Sequence, residues 1–306
     1  MLASCLTVVL LLGGCGSLRN EVDPSQLGLA SPKLVVNGYL SPQDTLLAIK
    51  LTRSNTVVGD SLSLLQTGND ITDATVTLSD GTKSVQLQYT NTRPTDSTRM
   101  SYYSASAQLL PIIAGRTYVL SIVTATGQRA SSTCTIPVPV KPTSITFDSL
   151  TQNQGRFLVR RYFIKTLWTD PAGQPNYYQL AGYFRYQSEQ SQIGNFPLTY
   201  DDDNRGLLSD EGFDGTVLPS GRSFLTSTTF SANESTDFYG QYQKALVTVN
   251  LMSVERTYYQ FQTAVIRQRR VRNNPFAEPV PIPSNIQGGL GCFGAYNRST
   301  RTVRLD

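Results

Sequence analysis

Histidine is absent from all 306 residues. That removes the Ser-His-Asp triad, the Cys-His dyad, His-ligated metals and imidazole acid–base chemistry from this chain. Cysteine is scarce, with four residues and no Cys-x-x-Cys pair. A zinc ribbon and a thioredoxin-type motif are therefore excluded. Charge is sparse too, at 16% of residues, where about a quarter is typical of soluble proteins. The net charge of +4 is small and dispersed, so no nucleic-acid partner is expected. What is abundant is Thr, Ser, Tyr (16) and Phe (12), a mixture that favours extended strands. The length suits two domains better than one.

The first segment reads as an address. Leu6 to Leu12 is an apolar run too short to span a bilayer, and Leu12-Gly13-Gly14-Cys15 follows it. This string is similar to a bacterial lipoprotein box, in which small residues admit the signal peptidase and the cysteine thiol takes the lipid. Met1 to Ser4 carry no Lys or Arg, so the basic n-region usual in such signals is missing. Residues 1–14 are read as a lipoprotein signal peptide, with Cys15 as the lipidated residue. Residues 15–31 are read as a flexible Gly-, Ser- and Pro-containing tether. Two or more acyl chains anchor a protein stably. Gly16 does not resemble the aspartate-type signal for inner-membrane retention, so outer-membrane anchoring is expected. The sequence does not choose between the periplasmic and the outer face.

Residues 32–138 read as an immunoglobulin- or fibronectin-like β-sandwich. Seven short runs of period two alternate with turn signals: Leu34 to Leu40, Leu47 to Leu51, Ala74 to Ser79, Val85 to Tyr89, Ser101 to Ser106, Tyr118 to Ile122 and Arg129 to Ile136. Asp80-Gly81 supplies a hairpin turn. Tyr118, near the start of the penultimate strand, is placed like a tyrosine corner. Pro137 and Pro139 lack backbone donors and end the last strand. The boundary is expected at Pro137 to Pro142, with an independently folding sandwich before it.

Residues 143–306 read as a second β-rich domain with one amphipathic helix near 254–270. Ile145 to Leu150, Phe157 to Trp168, Tyr178 to Tyr186, Ser223 to Phe230 and Lys244 to Met252 are strand-like. Val254, Tyr258, Phe261 and Val265 form one helical stripe, with Ser253 as its expected cap. Arg267, Arg269, Arg270 and Arg272 crowd the helix end, where cations suit the dipole; an anionic ligand or lipid headgroup is the functional alternative.

Four strings mark the chain further: Val35-Val36-Asn37-Gly38-Tyr39-Leu40; Asp170-Pro171 before Asn176-Tyr177-Tyr178; Ser209-Asp210-Glu211-Gly212-Phe213-Asp214-Gly215; and Asn274-Pro275-Phe276-Ala277-Glu278-Pro279 followed by Ser284 to Tyr296 with Gly288, Gly289 and Gly291. Together, and in this order, they resemble the bacterial outer-membrane lipoprotein family known as domain of unknown function 4249. The resemblance spans nearly the whole chain after the tether. It implies an outer-membrane lipoprotein associated with a TonB-dependent receptor barrel, and it brings no catalytic residues.

Candidate binding residues come from two segments. Asp201, Asp202, Asp203, Asp210, Glu211 and Asp214 fall within fourteen residues. Such a loop can be solvated, can hold Ca²⁺ through Asp201, Asp203 and Asp210, or can pair carboxylates for glycoside hydrolysis. EF-hand spacing fails, because Arg205 and Gly212 stand where oxygen ligands are needed. No other cofactor is expected. Phe276 and Phe293 are candidate apolar anchors in the proline–glycine segment. Cys134 and Cys292 are the cysteines left after signal cleavage and lipidation, and a disulfide between them is one expectation in an oxidising envelope. The function expected is a non-enzymatic accessory or binding component of a TonB-dependent uptake system; a structural or adhesive surface module is the alternative. Cys15→Ser is expected to abolish lipidation, so that radiolabelled palmitate enters the wild type and not the variant. Equal labelling of the two would refute the anchor.

Overall fold

The computed structural model describes residues 32–54, 69–92, 100–188, 191–200, 206–231, 238–271, 274, 276–278 and 280–305. The signal, Cys15 and the tether lie outside this set, as do Asp201, Asp202 and Asp203. The seven runs of the first half are all strands: β1 (Leu34–Leu40), β2 (Leu46–Arg53), β3 (Thr75–Ser79), β4 (Ser84–Thr92), β5 (Met100–Ser106), β6 (Thr117–Val123) and β7 (Arg129–Thr135). Period-two burial is clean in β1, β6 and β7, as expected for strands with one face on a core.

The strands form two facing layers. β4 joins them, because Ser84 to Leu87 pair with β3 while Gln88 to Thr92 pair with β5. Leu34, Val36, Ile49 and Tyr103 from one layer share a core with Val76, Leu78, Leu120 and Cys134 from the other. Fully burying one such aliphatic side chain contributes about 1.5–3 kcal/mol. Tyr118 is fully buried. Its phenol donates to Pro111 O at 2.8 Å and accepts from Ile113 N at 2.9 Å. This is the bonding of a tyrosine corner.

The second half adds β8 (Ser144–Gln154), β9 (Phe157–Thr169), β10 (Tyr177–Gln187), β11 (Ile193–Pro197), β12 (Thr199–Tyr200), β13 (Leu207–Ser209), β14 (Val217–Pro219), β15 (Ser223–Ser231), β16 (Gln243–Val254) and β17 (Gly289–Leu305). Among the described residues two helices accompany them, α1 (Phe238–Gln241) and α2 (Arg256–Val271). The protein is therefore mainly β, with two sheets and little helix. The larger sheet has twelve strands, in the order β11-β10-β16-β17-β1-β2-β5-β4-β3-β6-β7 with β13 beside β10. The smaller has five, β12-β15-β9-β14 with β8 beside β9. A second core, including Trp168, Tyr178, Phe184 and Val249, is drawn from strands of both sheets.

β17 decides how the halves relate. Its first residues, Gly289 to Ala295, run parallel to β1, and Tyr296 to Leu305 run antiparallel to β16. Phe293 and Ala295 consequently sit in the sandwich core, while Val303 and Leu305 pack on the second core. The boundary expected at Pro137 to Pro142 does not separate two independent sheets. One sheet crosses it, because the chain returns for its last strand. Lys33–Arg53 and Asp70–Asp306 form a single compact unit. The proline segment itself is tied down by this sheet: Asn297 Nδ2 donates to Pro137 O, Arg301 Nη1 to Pro142 O, and Ser253 Oγ accepts from Val140 N.

Three smaller expectations change with this pairing. Ser253 stays in β16, whose ladder with β10 and β17 runs on through Val254, so Glu255 takes the position before α2. Phe293 is fully buried and is no surface anchor. Cys134 and Cys292 are both buried, free thiols, and no disulfide joins them. Burial pushes both thiols upward, Cys292 to about 12, so they behave as inert packing groups.

The glycines before and within β17 have a steric cause. A Cβ at Gly291 would lie 2.0 Å from Val36 O, and its φ is +108°. A Cβ at Gly288 would lie 2.3 Å from Arg129 O. Asn285 closes the same corner, its side-chain amide donating to Phe293 O at 2.7 Å and accepting from Phe293 N at 3.0 Å. Gly291→Ala is expected to cost about 2–4 kcal/mol, from backbone collision and an unfavourable φ together. Urea denaturation measures it; a loss under about 0.5 kcal/mol would show that the parallel ladder tolerates separation.

Candidate functional site

Two of the marked strings fold onto each other. Asp170 directly follows β9 and is almost fully buried. Its Oδ1 accepts from the Tyr178 hydroxyl at 2.5 Å, and its Oδ2 from Gly215 N at 3.0 Å. Asp210, also buried, accepts from Asn176 N at 2.8 Å through Oδ2. Asp214 accepts from Gly173 N through both oxygens, at 3.0 and 3.1 Å. Backbone bonds add to these, from Asp170 N to Thr216 O and from Asp210 N to Asn176 O. Each string thus supplies carboxylates to the other's amides. Loop amides of this kind would otherwise be unsatisfied where the segments bury one another.

Three carboxylates at this density need compensation. Among the described residues, the ion pairs are Lys50–Asp70, Arg116–Asp80 and Arg222–Asp148, none of which touches the group. Compensation comes instead from N–H dipoles and the Tyr178 hydroxyl, through charge-assisted bonds. The Tyr178 phenol is pushed well above its ordinary range by burial and then by the Asp170 carboxylate. Trp168 packs edge-on against its ring at 5.2 Å.

Ligand oxygens of Asp170, Asp210 and Asp214 lie within 4.8 Å of one another, close enough for one cation to touch all three. Asp210 belongs to the expected calcium set, whereas Asp201 and Asp203 lie outside the described residues. The oxygens already serve the donors named above, which favours a fold-holding role over the six to eight oxygens that Ca²⁺ requires.

The paired loops wall a cavity of about 700 Å³. Gly173, Gln174, Asp210, Glu211 and Asp214 line one side, and Arg256, Tyr259 and Gln260 from the first turn of α2 line the other. Tyr259 lies against Tyr177 with ring centroids 4.9 Å apart, so the helix and the 173–177 turn are in register. Glu211 and Asp214 are exposed, as are Arg256 and Gln260. The rim therefore offers carboxylates, a guanidinium, an amide and a tyrosine to whatever enters. Phe276 is 94% exposed and does not line this cavity.

The sequence profile of the Domain of unknown function (DUF4249) family matches residues 19–302. The chain belongs to the DUF4249 family. No curated protein matches it. In this DUF4249 member the marked strings have physical roles: the first and last pair as β1 and β17, and the middle two interlock around Asp170, Asp210 and Asp214. The sequence singles out Asp210, Glu211 and Asp214 by density, but gives Asp170 no role beyond heading a marked string, and gives Arg256, Tyr259 and Gln260 none. The clue available was the company Asp170 keeps, since it heads a marked string. Asp170→Ala is expected to destabilise the protein by about 2–4 kcal/mol, because it strips two donors of a charged acceptor. Asp214→Ala, at an exposed site, is expected to cost under about 1 kcal/mol by the same urea titration. The reverse order would overturn the account of Asp170 as the keystone.

Proposed function

We propose that this protein is a non-enzymatic, lipid-anchored binding component of the outer membrane, an accessory to a TonB-dependent uptake system. Cys15 is its anchor, and the cavity between the interlocked loops and α2 is its working surface. The observation that carries the reading is the wall itself: two marked strings some 35 residues apart bond to each other and place Glu211 on one cavity with Tyr259 and Gln260 of α2. Loops fixed on a β scaffold are where recognition usually resides. An aromatic ring among charged rim groups is a common composition for a binding patch. Asp170, Asp210 and Asp214 carry the bonds between the loops, and the exposed Glu211 is not among them.

The test is affinity purification of the full-length protein from detergent-solubilised outer membranes. A large barrel protein is expected to co-purify. The Glu211→Ser/Tyr259→Ala variant is expected to recover at least tenfold less of it, while Phe276→Ala recovers the wild-type amount. Full recovery by the folded double variant would move the site away from this cavity. No barrel with the wild type would favour the structural or adhesive reading.

A further inference from the structure

A second cavity of about 530 Å³ adjoins the first. Its walls are largely apolar: Pro137, Val138 and Val140 from the segment after β7, with Pro171 and Tyr177 opposite. Glu255, just before α2, also lines it. The backbone holds Glu255 in place, its N–H donating to Ala295 O at 2.9 Å and its carbonyl accepting from Tyr259 N at 3.0 Å. In the side chain, Oε1 accepts from Thr135 N at 3.0 Å. Oε2 is buried and has no hydrogen-bond partner among the described residues.

Such a carboxylate is incomplete. The titratable groups around it are the Cys134 thiol on β7 and the Cys292 thiol on β17, with Tyr177 and Tyr178 of β10 and Arg256 of α2 lining the same cavity. Thiols and phenols carry no positive charge. Arg256 is exposed and makes no ion pair with Glu255 among the described residues. Burial pushes the Glu255 carboxyl up to about 7, against the lowering effect of the neighbouring Thr135 and Ala295 backbone. A buried carboxylate is costly until a counter-ion or proton reaches it.

We propose that this cavity binds an aliphatic ammonium, with Glu255 as counter-ion and the proline–valine wall around the methylene stem. Long cationic side chains and alkylamines bury an apolar stem while their heads seek charge, and Tyr177 adds a ring to which a cation is attracted. The ammonium has two sources, a free alkylamine or a lysine of a partner protein. The inference is independent of the proposed function, since it rests on a different cavity and needs no barrel.

The test titrates butylammonium and 1-butanol into the full-length protein in detergent, followed by saturation-transfer NMR at pH 8 and pH 6. At pH 8, butylammonium is expected to bind at least tenfold more tightly than butanol. At pH 6 its affinity is expected to fall roughly tenfold, since a carboxyl near 7 passes from about nine-tenths to about one-tenth ionised. Butanol binding should not change with pH. Glu255→Gln keeps an acceptor for Thr135 and is expected to abolish both the ammonium preference and its pH dependence. Val138→Trp fills the cavity without touching the carboxylate and is expected to lose both ligands, and it decides the matter if Glu255→Gln does not fold. The pentapeptide Ala-Ala-Lys-Ala-Ala separates the sources: binding at pH 8 assigns a lysine side chain, and binding of butylammonium alone assigns a free amine. Equal affinity for butylammonium and butanol at pH 8, or wild-type ammonium binding by folded Glu255→Gln, overturns the proposal.

Discussion

Everything in this molecule depends on the close approach of β17 to β1. Parallel strands give slightly weaker pairing per residue than antiparallel ones, yet this seven-residue register joins both halves of the chain. The approach is possible because Gly291 presents no Cβ to Val36 O. Once it is made, Phe293 and Ala295 complete one core. The continuation of the same strand carries Val303 and Leu305 to the other. The pairing also positions the start of α2, since Ala295 O receives the Glu255 amide. Both cavities include that first helical turn, so their geometry inherits the register of a ladder some distance away.

The interlocked carboxylates solve a different problem with the same economy. Loops between β9 and β10 and between β13 and β14 leave backbone amides that no ladder can satisfy. Asp170, Asp210 and Asp214 satisfy them from across the gap rather than from within their own loops. Because the bonds are reciprocal, neither loop can shift without the other. The acids that remain exposed, Glu211 above all, are then carried on a rigid support.

The sandwich was legible because its signal is local. Period-two runs in β1, β6 and β7 and the hairpin at Asp80-Gly81 each act over fewer than ten residues, and the structure follows them closely. The helix was legible from its stripe, though not its first residue, because the ladders of β10 and β17 extend β16 past Ser253. The short strands β11 to β14 hid in a polar stretch, since their pattern is too brief to carry a period. The crossing of the proline segment by β17 was not legible at all. Residues 34 and 289 pair across some 250 intervening positions, and no spacing rule reaches so far. The site was half visible: acids of 210–214 stand out by density, while Asp170 is a lone residue whose meaning comes from Gly215 and Tyr178.

That long-range ladder has a kinetic side. Until Gly289 to Ala295 are available, β1 is an edge strand with one row of backbone donors and acceptors unpaired, and its Leu-Val-Val core is uncovered. Edges of this kind invite pairing with other chains, and contacts so distant in sequence form slowly. The nascent chain therefore passes through an interval in which its first strand is adhesive and its last strand is not yet made. The burden of protecting it in that interval falls on whatever holds the unfinished chain rather than on the fold.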